Sequence, residues 1–281
     1  MTVHETGLSG ELQGTLLMPA APTGWGVVVL AGSSGRVDVA RARLFAALGA
    51  TCIALRWFGG EGQAPGICEV PLESFTPATD RLIAEDCDRI AYVGTSKGAE
   101  AALLIAVDDP RVRLVAAMSP SSLVWANTGP GMDGAVLPQR SSWTRGGRSL
   151  PFVPYDETWQ PEWRDGLVTY RGLYERSLRL GADGVPAATI PVEKAQAEII
   201  LVAGGDDALW PSDAFARSIE ERLASAGRNA TLIHHPEAGH RLLLPGETTP
   251  RSTQHAHGGR DVADADLGRS AWEAISAHLR R

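Results

Sequence analysis

Cysteine is scarce in this chain. The three present, Cys52, Cys68 and Cys87, are odd in number and lack metal-ligand spacing. That excludes a disulfide framework and the usual zinc arrangements, and it points to a reducing, cytoplasmic compartment. Neither a metal nor any other cofactor is expected. Long apolar runs are missing too, so no stretch reaches the length of a membrane span. The opening M-T-V-H-E-T-G has no basic-plus-apolar secretory signal. There is no basic excess either: 26 Lys and Arg stand against 33 Asp and Glu, a net charge of −7. A broad nucleic-acid face is therefore excluded as a partner surface. What remains is an ordinary globular composition, 44% hydrophobic and 21% charged, with ample length for a large core.

Short apolar runs alternate with helical patterns. A weakly alternating segment at 11–18 reads as an edge strand. Continuous apolar runs at 26–30, 51–55, 90–93 and 114–118 suit strands buried on both faces. Helices are expected at 37–48, 72–86 and 99–107, with Pro77 complicating the start of the second. After residue 195 the pattern resumes with strands at 198–202 and 230–234 and helices at 212–226 and 264–279. Ser212 is a plausible N-cap of the first of these helices and Gly227 its stop. The alternation predicts an α/β fold, a mostly parallel sheet covered by helices on both faces. In such sheets the site forms at the carboxyl ends of the strands.

Residues 120–195 break the pattern. They hold many Pro and Gly and four tryptophans, Trp125, Trp143, Trp159 and Trp163. A structureless loop this long is improbable. The expectation is a cap or lid inserted into a core made of 1–119 and 196–281, with a helix near 168–180. The tryptophans read mainly as cap core, with Trp125 a candidate for contact with substrate.

At the heart of the core lies Gly94-Thr95-Ser96-Lys97-Gly98, a G-x-S-x-G between an apolar strand and a helix. At such a turn the serine is forced into strained backbone and its hydroxyl is presented at the sheet edge. A serine hydroxyl is a weak nucleophile at neutral pH and needs a base, which needs an orienting acid. In this fold the acid and then the histidine follow the nucleophile. After the strand at 198–202 comes G-G-D-D-A-L-W-P. Asp207 is favoured as the acid by its spacing from Gly204 and Pro211, with Asp206 read as a turn or helix-start carboxylate. After the strand at 230–234 comes His240, in a turn beyond the strand end. His255 and His257, in a polar loop, read as solvated. The oxyanion would be met by the backbone N–H of Lys97 and a second donor from Ser33 or Ser34, in the loop after 26–30. The Lys97 side chain is either solvated or faces an anionic part of a ligand. Arg140, Arg145 and Arg148 have no acidic residue among them between 139 and 150. They form a local basic island that could meet phosphates.

Several segments together resemble the C-terminal catalytic domain of acyl-CoA thioesterases and bile acid-CoA:amino acid N-acyltransferases. They are G-T-S-K-G-A-E at 94–100, S-P-S-S-L-V-W at 119–125, Ser142-Trp143, L-P-F-V-P-Y at 150–155, I-P-V-E-K at 190–194, G-D-D-A-L-W-P-S at 205–212, Gly239-His240, and Gly258-Gly259 before Trp272. They span most of the chain in the family's order. The resemblance implies an α/β-hydrolase fold, a triad of Ser96, Asp207 and His240, and a small-molecule acyl-CoA or related acyl thioester as substrate. Members that transfer acyl groups to amino acids carry cysteine as nucleophile, so serine implies hydrolysis. The chain's first strands already belong to the hydrolase sheet, which leaves no room for the family's separate N-terminal β-sandwich. Carboxylesterase or dienelactone-hydrolase-like activity, acyl transfer and a non-catalytic binding role stand as alternatives.

Overall fold

A computed structural model describes residues 2–281. Eight strands form the main sheet: β1 (Val3–Leu8), β2 (Gln13–Pro19), β3 (Trp25–Leu30), β4 (Thr51–Arg56), β6 (Arg89–Thr95), β7 (Val112–Met118), β12 (Glu198–Gly204) and β13 (Thr231–His235). The intervening β5 (Val70–Pro71), β8 (Trp143–Arg145), β9 (Arg148–Ser149), β10 (Glu162–Arg164) and β11 (Leu167–Thr169) form two small ladders. Across the main sheet the order is β1-β2-β4-β3-β6-β7-β12-β13. From β4 to β13 every pairing is parallel, and β1 and β2 add an antiparallel margin.

The segment at 11–18 is thus not the edge. It is the second strand, and V-H-E-T-G-L of β1 covers it. Four of those six residues, His4, Glu5, Thr6 and Gly7, are polar, charged or glycine and lie exposed on a solvent margin, which is why the segment carries no strand signal of the buried kind.

Both faces of the central strands are covered. Along β3, Val28 and Leu30 face one core while Val27 and Val29 face the other, and all four are essentially inaccessible. Full burial of such a side chain contributes about 1.5–3 kcal/mol. On one side lie α2 (Thr76–Ala84), α3 (Lys97–Asp108) and α6 (Ser212–Ser225), through Leu82, Leu103 and Leu223. On the other lie α1 (Val39–Ala46) and α7 (Asp261–Leu279), through Phe45, Ala271 and Ile275. The helix expected at 72–86 is split: residues Leu72–Phe75 form a single 3₁₀ turn, and α2 begins at Thr76. Pro77 sits in the first turn of α2, where its missing N–H has no intrahelical role.

Residues 120–195 send no strand into the main sheet. They carry the small ladders, α4 (Arg171–Leu180) and α5 (Val185–Ala188). Trp143 pairs with Val70 and Trp125 is fully buried, so both anchor this segment to the body beneath. Trp163 is 67% exposed on β10 and is not cap core, because a two-stranded ladder has no second layer to cover it. No helix among the described residues is long and apolar enough to cross a membrane.

Candidate active site

The turn between β6 and α3 holds Ser96 at φ 57° and ψ −123°. A non-glycine residue in this region is strained by roughly 1–3 kcal/mol and persists only where its surroundings over-determine it. Here they do. A Cβ on Gly94 would lie 2.1 Å from the Gly98 carbonyl oxygen, and one on Gly98 would lie 2.5 Å from that of Ala31. Only glycine lets strand and helix approach so closely. The Ser96 N–H donates to the Met118 carbonyl at 2.9 Å. Next to it, the Thr95 hydroxyl accepts from Arg41, a buried guanidinium that also grips Glu247 and the Leu242 carbonyl. Arg41 therefore ties α1 and the 242–247 loop to the turn. The loop after β3 passes directly over Ser96: a Cβ on Gly32 would lie 2.9 Å from the Ser96 Cβ. In the sequence this approach is marked by Gly32, the first glycine of A-G-S-S-G at 31–35.

Asp207 and His240 meet. Asp207 Oδ2 lies 2.8 Å from His240 Nδ1, and both side chains are buried. An ionised carboxylate only accepts, so this contact puts the imidazole proton on Nδ1 and leaves Nε2 with a free lone pair. Asp207 is itself held from three further directions. Its Oδ1 accepts from the backbone N–H groups of Leu209 and Trp210, and its Oδ2 accepts from the Ser212 hydroxyl at 2.6 Å. Ser212 was expected to cap α6. It is instead the first helical residue, and its hydroxyl turns back to the acid, which offers a charged acceptor. His240 is held by its own backbone, with N–H donating to the His257 carbonyl and C=O accepting from the Ser119 hydroxyl. Beneath it, the Gly239 N–H donates to the buried Asp264 carboxylate.

Asp206 points elsewhere. It takes both Nη atoms of Arg164 at 2.7 Å and the Gly259 N–H. It lies in the turn after β12, as expected, and from there it clamps the β10–β11 ladder and the 258–259 loop to the end of that strand.

Ser96 and His240 line one cavity of about 340 Å³, with Ser33, the Lys97 backbone position, Asn127, Tyr155, Tyr170, Leu173, Tyr174, Leu209, Trp210 and His255 around them. Ser96 Oγ makes no hydrogen bond to His240; contacts of this kind commonly tighten only when a substrate is engaged. The N–H of Lys97 is the first of α3 and has no intrahelical acceptor. Of the two loop serines, Ser33 reaches the cavity wall, and Ser34 is exposed outside it. Four cavity aromatics, Tyr155, Tyr170 and Tyr174 from the segment at 120–195 and Trp210 from beyond it, carry no signal in the sequence. No local spacing marks them, since they converge only through the fold.

Five expectations need correction. The Lys97 side chain is neither solvated nor facing a ligand. It is buried, and its Nζ lies 2.8 and 3.0 Å from the two oxygens of Glu100, with Trp125 and Trp143 packed against the pair. Burial pulls the Lys97 ammonium below its usual range and pushes the Glu100 carboxyl up, each opposed by the other's charge. The basic island is not free: Arg140 pairs with Glu69 and Asp133, and Arg145 pairs with Asp108, acids that lie outside the stretch at 139–150. Arg148 is exposed on β9, and none of the three lines the Ser96 cavity. Trp125 stacks behind Tyr155 with its indole N–H on Ser121, one layer back from the cavity.

His255 and His257 are half-buried rather than solvated, and Nδ1 of each is buried without a partner. The bridge from Val168 to His255 and the close approach of Gly258 to Asp206 pull their loop inward. His257 lies 5.7 Å from His240, ring centroid to centroid. Burial, reinforced by the charge of His240, brings its pKa down to about 4. A depressed histidine favours the fold above its unfolded pKa, about 6.5, and that contribution is lost as pH falls toward 4. Between pH 7 and pH 5 the chain is therefore expected to lose about 2 kcal/mol of unfolding free energy through this group. Urea melts of wild type and His257→Leu at both pH values check this: the variant should show a correspondingly smaller loss, and equal losses would refute it.

A six-strand parallel sheet with an antiparallel margin, a strained Ser96 after β6, an acid after β12 and a histidine after β13 are the arrangement of the α/β-hydrolase fold. The particular family follows from comparison: the chain belongs to the family described as BAAT / Acyl-CoA thioester hydrolase C terminal, which matches residues 70–281. It is 28% identical over 284 residues to Acyl-coenzyme A thioesterase 6 of Mus musculus, covering 97% of this chain and 63% of that protein. It is 26% identical over 241 residues to Acyl-coenzyme A amino acid N-acyltransferase 2 of Rattus norvegicus, covering 84% and 53%. The chain thus spans less than two thirds of these relatives. A dienelactone hydrolase-like promiscuous phosphotriesterase from metagenomic libraries shares the fold at a TM-score of 0.55, with 14% identity and coverage of 99% and 97%.

Proposed function

We propose that this chain is a serine hydrolase that cleaves acyl-CoA thioesters through an acyl-Ser96 intermediate. One observation carries the reading: a strained Ser96 shares a cavity with a His240 whose Nδ1 is engaged by Asp207, leaving Nε2 to act as base. In this reading Ser96 Oγ attacks the thioester carbonyl carbon and its proton passes to His240 Nε2. The oxyanion is met by the Lys97 N–H and a second N–H from the Ser33–Ser34 loop. The carbon–sulfur bond breaks, and the thiolate takes the proton from His240. Water then attacks the acyl-enzyme, again giving its proton to His240, and Ser96 leaves with that proton as the free acid is released. Asp207 fixes the imidazole tautomer and stabilises the imidazolium. Family membership and the thioesterase named among the relatives supply the thioester. A cytoplasmic setting belongs to the same reading, since all three thiols are free and buried.

A second reading is hydrolysis of oxygen esters or lactones without CoA. It is favoured by the arginines at 140 and 145, which are already neutralised by acids and do not wait for phosphates. Thiol release from acyl-CoA, set against hydrolysis of an oxygen ester of the same acyl group, separates the two. The first reading expects the thioester to have the higher kcat/KM; turnover of the oxygen ester alone would replace it with the second.

A further inference from the structure

The cavity that holds Ser96 and His240 is walled on one side by a network of aromatic rings. Tyr155 and Tyr174 meet edge to face at 5.4 Å, Tyr174 and Trp210 at 5.4 Å, and Trp210 and His240 at 5.9 Å. Behind them the fully buried Trp125 stacks on Tyr155 and meets the face or edge of Tyr174 at 4.6 Å. The two tyrosine hydroxyls lie 3.4 Å apart, and that of Tyr155 reaches the Ala126 carbonyl. A close-packed network of this kind has no empty space into which one ring can retreat. The room in front of it is about 340 Å³. For scale, an apolar cavity of about 150 Å³ takes one benzene molecule, so this room is of the size that a ring and a few further atoms occupy. A single aromatic ring with its carbonyl and a short spacer fits. A long-chain fatty acyl group would fill this room and run on beyond its open side. The ring edges and faces on the wall are also the partners an aromatic group packs against best, in offset or edge-to-face contact.

We infer that the acyl group taken by this site is compact and aromatic, one ring joined to the carbonyl directly or through a short spacer, and that Tyr174 and Leu209 set its length limit. The inference rests on the hydrolase reading of Ser96 and deepens it. Both residues line the cavity, Tyr174 within the ring network and Leu209 beside it. The cap aromatics thus act as specificity determinants, and Ser96 and His240 remain indifferent to the acyl group.

The test is kcat/KM of the full chain for phenylacetyl-CoA, octanoyl-CoA and palmitoyl-CoA. Phenylacetyl-CoA, which has as many acyl carbons as octanoyl-CoA, is expected to exceed it several-fold and to exceed palmitoyl-CoA at least tenfold. Equal values for phenylacetyl and octanoyl would overturn the aromatic preference, and a palmitoyl value as high as either would overturn the size limit. Tyr174→Ala should raise the palmitoyl-to-phenylacetyl ratio at least tenfold. Because that change also opens the core behind it, Leu209→Ala serves as a second variant outside the ring network and should raise the ratio in the same direction. A ratio unmoved in a folded variant would remove that residue from the length limit. If no CoA thioester is cleaved but para-nitrophenyl esters are, it is the thioester reading that fails. The comparison of phenylacetate with octanoate and palmitate on para-nitrophenol then decides the acyl preference by itself.

Discussion

Ser96→Ala is expected to lower kcat for thiol release about a million-fold while leaving the melting temperature within a few degrees of wild type. The size of the loss follows from the chemistry. Without Oγ there is no acyl-enzyme, and what survives is the modest acceleration from oxyanion donors and substrate binding. The stability follows from the packing. The φ of 57° at residue 96 is imposed by Gly94, Gly98 and the Met118 carbonyl, none of which the substitution alters. Asp207→Asn should lose less, roughly ten-thousand-fold, because it misdirects the imidazole rather than removing the nucleophile. Thiol release and fluorophosphonate labelling, run side by side on folded protein, read both effects. Turnover or labelling retained in Ser96→Ala would place the nucleophile elsewhere.

The parallel core was legible because its strands are short continuous apolar runs, which have one explanation when they alternate with helical patterns. Ser96, Asp207 and His240 stood out because each follows such a run and the fold gathers strand ends at one edge; the structure brings Asp207 to His240, and His240 lines the Ser96 cavity. What escaped was held by distant partners. Ser212 reads as a helix cap until the acid five residues earlier turns out to need a fourth donor. His257 reads as a loop histidine until its carbonyl is found holding the His240 backbone. The arginines at 140 and 145 look unpaired because Glu69, Asp133 and Asp108 lie beyond the stretch in which acids were counted. The cap aromatics follow no period that a helix or strand would impose. In each case the information is tertiary, so local pattern could not carry it.

Lys97 is the case with the largest consequence for stability. A lysine at the start of a helix reads as solvent-facing, and its ammonium opposes the helix dipole. Yet it is buried, and Glu100 becomes the joint between the Ser96 turn and the segment at 120–195. Glu100 Oε1 accepts the Trp143 indole N–H at 2.7 Å and the Trp125 backbone N–H at 3.3 Å, while both carboxylate oxygens bind Lys97. Glu100→Gln keeps an acceptor for Trp143 but leaves the ammonium buried without its counter-charge, which should reduce stability by about 3–5 kcal/mol. Adding Lys97→Met removes the orphaned charge and should recover most of that loss, since an ion pair replaced by groups of similar shape is often neutral. Urea unfolding of the two single variants and the double variant measures the coupling. The pH dependence separates this account from simple loss of packing. In Glu100→Gln the buried lysine has its folded pKa pushed further down, so the fold is penalised wherever the unfolded lysine is protonated. The deficit should therefore shrink as pH rises toward about 10, the ordinary lysine value. A deficit independent of pH, or a double variant no more stable than Glu100→Gln, would mean that Lys97 contributes shape and not charge to the support of the Ser96 turn.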